Sequence, residues 1–381
     1  MIDIIVAGDF CPRDRVENLI EKQLNSDIFK DIAQVTSSAD YAIVNLEAPI
    51  VLENRQAITK VGPNLKCTEK ACESLKYLGF QLATLANNHF RDYGNEGCLD
   101  TISTLTKHNI AYVGGGANLE EASKTHYVEI KGKKFAVINC CEHEFSIATE
   151  NQAGSNPINP IQQYYAIREA KKESDYVIVI VHGGVEHCQL PTPRMQEIYR
   201  FFIEAGADTV INHHQHCYSG YEVYKNKPII YGLGNFCFDW PDKKSGIWTE
   251  GYLAKISFDE AKISIQTIPY IQCGGEPTVR LMNDGEKETF NKKIAGLNTI
   301  IADANKLKQE YEHYINSHNN KKYQFLISPY LGKLKRSLFL RGILPMKTNK
   351  SKLLSLYNVL TCESHNDRFL HEVETLISKE K

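Results

Sequence analysis

Five short motifs hold most of the side chains in this 381-residue chain that could do chemistry. They are Gly8-Asp9-Phe10-Cys11, Asn45-Leu46-Glu47, Asn87-Asn88-His89-Phe90-Arg91-Asp92, His182-Gly183-Gly184-Val185-Glu186 and His213-His214-Gln215-His216. Each follows an apolar run, and each offers a carboxylate, an amide oxygen or an imidazole. Taken singly they are unremarkable, because a lone Asp is most often a turn or helix N-cap and a lone His a hydrogen-bonded loop residue. Capping has no use for imidazoles, however, and does not explain five strand ends of the same kind. Carboxylate, amide oxygen and imidazole together suit Mn²⁺, Fe or Zn²⁺, and the lack of cysteine clusters argues against a structural Cys₄ zinc. One catalytic zinc takes about three protein ligands. A larger set points to two divalent ions bridged by a carboxylate, the arrangement that clamps both oxygens of a displacement, and so to hydrolysis.

The elements that must position these motifs are readable from periodicity. Residues 2–7, 41–46, 81–86, 135–140, 176–181 and 209–212 read as buried strands, and residues 15–30, 68–78, 96–107, 160–172 and 193–205 as helices. The alternation means an α/β fold, in which ligands bind beyond the carboxyl ends of the strands, where the motifs stand. Beyond about residue 209, short strands at 220–224, 228–232, 251–257 and 262–271, with a tight turn at Lys225-Asn226-Lys227, suggest an antiparallel half of a sheet. From about residue 285, helical spacing through Leu297, Ile300, Ile301, Ala304, Leu307 and Tyr311, and again over 353–360 and 369–377, predicts a helical C-terminal region. The expected division is 1–275 for the sheet-forming domain and 285–381 for the helical appendage. Gly114-Gly115-Gly116 lacks the Gly-Lys-Ser/Thr ending of a phosphate loop and reads as a turn. Trp240 and Trp248 read as core.

Composition removes several function classes. Lys plus Arg number 44 against 46 Asp plus Glu, so there is no whole-chain field to hold nucleic acid or an anionic membrane. No basic-aromatic stripe in the sheet-forming half favours a nuclease. Eleven cysteines, an odd number without CxxC pairs, read as reduced thiols and hence a cytoplasmic setting. The opening Met1-Ile2-Asp3-Ile4-Ile5-Val6-Ala7 reads as a strand rather than a signal peptide, and no run approaches the roughly 18 apolar residues of a membrane span. One local exception is the run 331–346, where Lys333, Lys335, Arg336 and Arg341 interleave with large apolar residues without an acid. The favoured reading is a packed helix with solvated charges, and the alternative is peripheral contact with an anionic membrane.

Taken with Tyr231-Gly232-Leu233-Gly234-Asn235-Phe236, the ordered motifs resemble the CapA-type poly-γ-glutamate capsule synthesis family, itself similar to a branch of the calcineurin-like metallophosphoesterases. The resemblance spans about residues 2–240, and its most specific part is the element from Ala86 to Gly94. It implies a four-layer αββα sandwich with two divalent ions at one edge, Mn, Fe or Zn. By position it implies Asp9 as the first metal ligand, Glu47 as the bridging carboxylate, and Asn88, His182, His214 and His216 as the remaining ligands. His89 resembles the histidine that protonates a leaving group, with Asp92 to orient it, unless Asp92 only caps the helix near Gly94. Arg13, Arg15, Arg91 and Lys60 are candidates for gripping a substrate phosphate or carboxylate. There are two departures: Cys11 stands where that superfamily has a second histidine ligand, and the chain begins directly in a strand where typical members carry a membrane anchor. The function implied is a metal-dependent hydrolase of a phosphoester or polymer linkage in capsule or surface-polymer synthesis. Its substrate would be an anionic polymer or phosphoester, and its partners capsule-synthesis enzymes. The alternative is an accessory protein that binds polymer or partner through a degenerate metal site without turnover.

Overall fold

Alternation along the first strand, Ile2–Cys11, sets up the layers. Ile4 and Val6 enter one hydrophobic cluster, Ile5 and Ala7 another, so this strand is covered on both faces. On the inner side the partners are Ile178, Ile180 and Ile211, which belong to a second sheet. On the outer side they include Val16, Ile20, Ile32 and Leu75 from helices. The second sheet repeats the device: Val177, Val179 and Val181 turn away from the shared core and pack on Ile167, Ala170, Tyr199 and Phe202 of two helices, Pro160–Glu173 and Pro193–Ala205. The result is an α/β/β/α sandwich of four layers, in a computed structural model that describes residues 1–52, 54–318 and 349–379 together with Leu338, Arg341 and Ile343.

The larger sheet runs in the order Val279–Leu281, Ile263–Gln272, Glu250–Phe258, Ile2–Cys11, Tyr41–Leu46, Leu82–Thr84, Ala111–Val113, and Asn235–Phe238 also pairs with the first strand. The smaller runs Tyr221–Tyr224, Lys227–Ile230, Thr209–His213, Tyr176–His182, Lys133–Cys141, His126–Ile130. In both, the central neighbours are parallel. Parallel pairing sends successive carboxyl ends to one edge, which is where the five motifs emerge.

Two expectations need correction. The helix expected over 15–30 is two helices, Asp14–Glu21 and Asn25–Phe29, because Gln23 takes a left-handed φ of 59° and turns the chain. The antiparallel strands after residue 209 do not form one half-sheet. The hairpin Tyr221–Ile230, closed by Lys225 and Asn226 at φ 49° and 64°, joins the smaller sheet, whereas Glu250–Phe258 and Ile263–Gln272 join the larger. A local hairpin pattern sets pairing within the hairpin and is silent on which sheet receives it. The expected helical C-terminal region is present and packs on the sandwich. The edge strand Val279–Leu281 lies beyond residue 275, and the helices Asp284–Ile301 and Ala304–Ser317 bury Phe290, Ile294, Ile301, Leu307, Tyr311 and Ile315 in the sandwich cores. Apart from Leu338, Arg341 and Ile343, the basic run 331–346 lies outside the described residues. Among the described residues no helix is long and apolar enough to cross a membrane.

One glycine is needed at the site's edge. A Cβ on Gly8 would lie 1.8 Å from the carbonyl oxygen of Gly234, which accepts the Asp9 N–H at 3.2 Å. Gly8→Ala should therefore force the first strand away from Asn235–Phe238, costing about 1–3 kcal/mol or more by thermal unfolding, while Gly275→Ala, with open space around it, should be near neutral. Equal Tm values for the two variants would contradict this packing.

Candidate metal centre

The edge where the two sheets meet concentrates buried groups that cannot satisfy one another. Asp9 lies near the end of the first strand, Glu47 follows the second, and His216 comes from the loop after Thr209–His213; each offers one ligand atom, and the three lie within 4.8 Å of one another. Beside them the Asn88 Oδ1 and the His214 Nδ1 each approach the His182 Nε2 to 3.1 Å. Two donor sets of this kind fit two cations.

Glu47 shows most clearly what is missing from the chain itself. Both of its carboxylate oxygens are buried and neither has a hydrogen-bond partner. The His216 Nε2 stands 3.6 Å away and the His89 Nε2 4.0 Å, each too far for a hydrogen bond. Burial, reinforced by Asp9 and Glu186, pushes the Glu47 carboxyl well above the usual range. Burial raises Asp9 to about 6 against a hydrogen bond from Asn45, and depresses His216 to about 3. His182 is held well below the ordinary value by burial and by the neighbouring histidines. Neutral imidazoles around bare carboxylates are the state a divalent ion requires of its ligands, so the residues present fit the metal that the motifs imply.

Asparagines hold the frame. Asn45 donates to Asp9 Oδ1 at 2.8 Å, and Asn235 Oδ1 lies 2.9 Å from the His216 Nδ1, leaving Nε2 toward Glu47. Asn212 accepts from the Tyr199 hydroxyl and donates to Gly183 and Tyr231 carbonyls, stapling neighbouring strand ends. His214 and His216 sit at φ 94° and 54°, conformations that cost a non-glycine residue about 1–3 kcal/mol each and collect at functional sites. Cys11 is fully buried in the apolar core, and its thiol is not among the donors that gather with Asp9, Glu47 and His216.

His89 and Asp92 form a second unit. The His89 Nδ1 meets Asp92 Oδ2 at 2.7 Å, and that oxygen also accepts the Leu65 N–H at 2.6 Å. Burial, then the Lys60 charge, lowers the His89 pKa against the pull of Asp92. Asp92 is not the helix cap: the helix Gly94–Lys107 has Tyr93 at its N-cap with no side-chain bond.

The expected anion grips fare differently. Lys60 has 2% of its side chain exposed and pairs with Asp92, so its charge is spent inside the protein rather than offered to substrate. Arg13 bonds Asp14 and lies over the Trp240 ring at 4.3 Å, and Arg15 is clamped by Asp239. Arg91 reaches Asn95, with its Nε buried and unpartnered. Lys60 nonetheless stands beside the donor sets, its Nζ 3.1 Å from the His89 Nδ1. The missed contributors come instead from the C-terminal helices Ala304–Ser317 and Glu363–Lys379. A cavity of about 400 Å³ opens beside His214, lined also by Glu186, His187, Tyr314, His365 and Arg368. Amphipathic spacing announces those helices but carries no sign of where they dock.

Residues 3–240 match the family described as "Bacterial capsule synthesis protein PGA_cap". The chain belongs to that family. Similar curated proteins include the "Capsule biosynthesis protein CapA" of Bacillus anthracis, 30% identical over 66% of this chain and 64% of that protein. The "PGA biosynthesis protein CapA" of Bacillus subtilis is 30% identical over 65% of this chain and 67% of that protein. A "Probable polyglutamine synthesis accessory protein" of Mycobacterium tuberculosis is 27% identical over 54% of this chain and 57% of its own length. The chain thus spans less than two thirds of the Bacillus anthracis relative. Among solved structures, a putative 5′-nucleotidase from Staphylococcus aureus is similar at TM-score 0.43 and 16% identity, covering 77% of this chain and 58% of that one.

The pKa directions at this capsule-family site set a pH test. Asp9 keeps its proton to about 6 when folded and to about 4 when unfolded, so raising the pH through that window lowers the stability of the metal-free protein. A divalent ion must displace the same proton. Calorimetry in buffers of different ionisation enthalpy should show Mn²⁺ binding releasing protons at about pH 5.5 and fewer at about pH 8. The Mn²⁺-induced rise in Tm should grow over that interval, and a pH-independent rise without proton release would contradict the assignment.

Proposed function

We propose that this capsule-family chain is a metal-dependent hydrolase of a phosphoester or polymer linkage, acting on an anionic polymer of the capsule or cell surface such as polyglutamate or polysaccharide. The observation that carries the reading is Glu47, a buried carboxylate with no partner that gathers with Asp9 and His216, while Asn45 bridges Asp9 to the His182 of the second set. Asp9, Glu47 and His216 would hold one ion, and Glu47, Asn88, His182 and His214 the other, with Mn, Fe or Zn the metals that suit these donors. Bound divalent ions supply Lewis-acid polarisation of the scissile group and a template for in-line displacement. Asn45 and Asn235 keep Asp9 and His216 aimed at the site. Asp92 accepts a hydrogen bond from the His89 Nδ1 and so turns Nε2 toward Glu47, where it can pass a proton to a leaving group; Lys60 fixes Asp92 in that role. On this reading the chain works with capsule-synthesis enzymes, in the cytoplasm or at the membrane periphery.

A second reading is supported by Cys11, which takes the motif position of a second histidine ligand while its thiol is buried in the apolar core and does not gather with Asp9, Glu47 and His216. A centre with one weakened position suits an accessory protein that binds polymer without turnover. Hydrolysis of aryl phosphomonoesters and phosphodiesters with added Mn²⁺ separates the two. The hydrolase should lose nearly all turnover on His214→Ala, and His89→Ala should lower kcat by about 10²–10⁴ with metal content unchanged. Absence of turnover from fully metallated protein on these and on polyglutamate would favour the accessory role.

A further inference from the structure

Outside the two donor sets described above, a third group of metal-ligating atoms joins the C-terminal helices to the catalytic edge. Cys362 closes the helix Lys350–Thr361, and His365 lies in the first turn of Glu363–Lys379. The resulting Cys362-Glu363-Ser364-His365 places thiol and imidazole in a C-x-x-H spacing at a helix junction. Glu144, more than two hundred residues earlier, brings a carboxylate, and one ligand atom of each residue lies within 4.8 Å of the other two. We propose that Glu144, Cys362 and His365 bind a zinc ion that fastens the C-terminal helices to the sandwich.

The chemistry of the set selects the metal. A thiolate, an imidazole and a carboxylate suit Zn²⁺ over Mg²⁺, Ca²⁺ or Mn²⁺, and three protein ligands leave one tetrahedral position open. His365 also lines the cavity beside His214, so that position has a path to solvent. Cys362 has a competing neighbourhood in Glu142 and Glu363. Those carboxylates are already engaged: Glu142 accepts from Arg194 and Ser364 at 2.9 and 2.8 Å, and Glu363 from the His143 backbone at 2.9 Å with its other oxygen 2.6 Å from the His143 ring. Among the described residues, the Glu144 carboxylate has a long contact from Asn358 at 3.5 Å and His214 at 3.8 Å. The ion therefore belongs on the Glu144 side, and binding replaces the thiol proton, which passes to solvent.

The site does not depend on hydrolytic activity, and its test reads metal directly. Full-length protein stripped with chelator and reloaded should hold one more zinc per chain than Cys362→Ser, measured by plasma mass spectrometry. Loading with Co²⁺ should produce a near-ultraviolet thiolate-to-cobalt charge-transfer band in the native chain, kept by Cys11→Ser and lost in Cys362→Ser. Glu144→Gln should lower zinc content in the same way while leaving Cys362 in place. Absence of the band from the native, Co²⁺-loaded protein overturns the proposal whether or not any variant folds, as does a band that Cys362→Ser retains.

Discussion

Glu47 sits where the edges of the two sheets meet, with both carboxylate oxygens out of solvent and the His216 and His89 imidazoles 3.6 and 4.0 Å away, beyond hydrogen-bonding distance. A bare buried charge is among the most costly things a fold can hold, and protonation or a cation are the ways to relieve it. The surroundings are arranged as though for the cation. Asn45 and Asn235 restrain Asp9 and His216, and Asn212 ties strand ends together. His214 and His216 accept left-handed backbone to keep their rings in place. Stability is given up at this edge and recovered in three hydrophobic clusters that cover both faces of both sheets.

How much of this could be read beforehand follows from where information sits in a chain. Asp9, Glu47, Asn88, His182, His214 and His216 were legible as a group because parallel strands deliver their carboxyl ends to one edge, so position after an apolar run is enough to bring distant residues together. The pairing of Lys60, named only as a candidate anion grip, was not, because it lies in a stretch without regular structure between residues 54 and 66 and nothing local says which acid it will meet. The asparagines carried an ambiguous signal. An amide offers both a donor and an acceptor, and Asn45 uses its donor on Asp9 where a ligand would use its oxygen. The amphipathic spacing of the C-terminal helices announced that they would pack, not that Glu363–Lys379 would dock beside the loops of the candidate metal centre.

That docking changes what the helical region is for. Arg194 spans Glu142 and Asp367, and Glu363 meets His143, so the loop after Lys133–Cys141 and the final helix are joined by charged groups that are only partly exposed. Half-buried, bidentate and networked pairs of this kind hold geometry better than isolated surface bridges. The cavity beside His214 has walls from both halves of the chain. Its shape therefore depends on a segment beyond the 3–240 region that matches the capsule family.

The bare carboxylate of Glu47 is most directly examined by crystals soaked in Mn²⁺ and measured for anomalous scattering. Two peaks are expected, flanking that carboxylate, one within bonding distance of Asp9 and His216 and the other of Asn88, His182 and His214. A Mn²⁺-saturated crystal with no peak in reach of Glu47, or with Glu47 hydrogen-bonded to a rearranged neighbour instead, would contradict a metal centre at this edge.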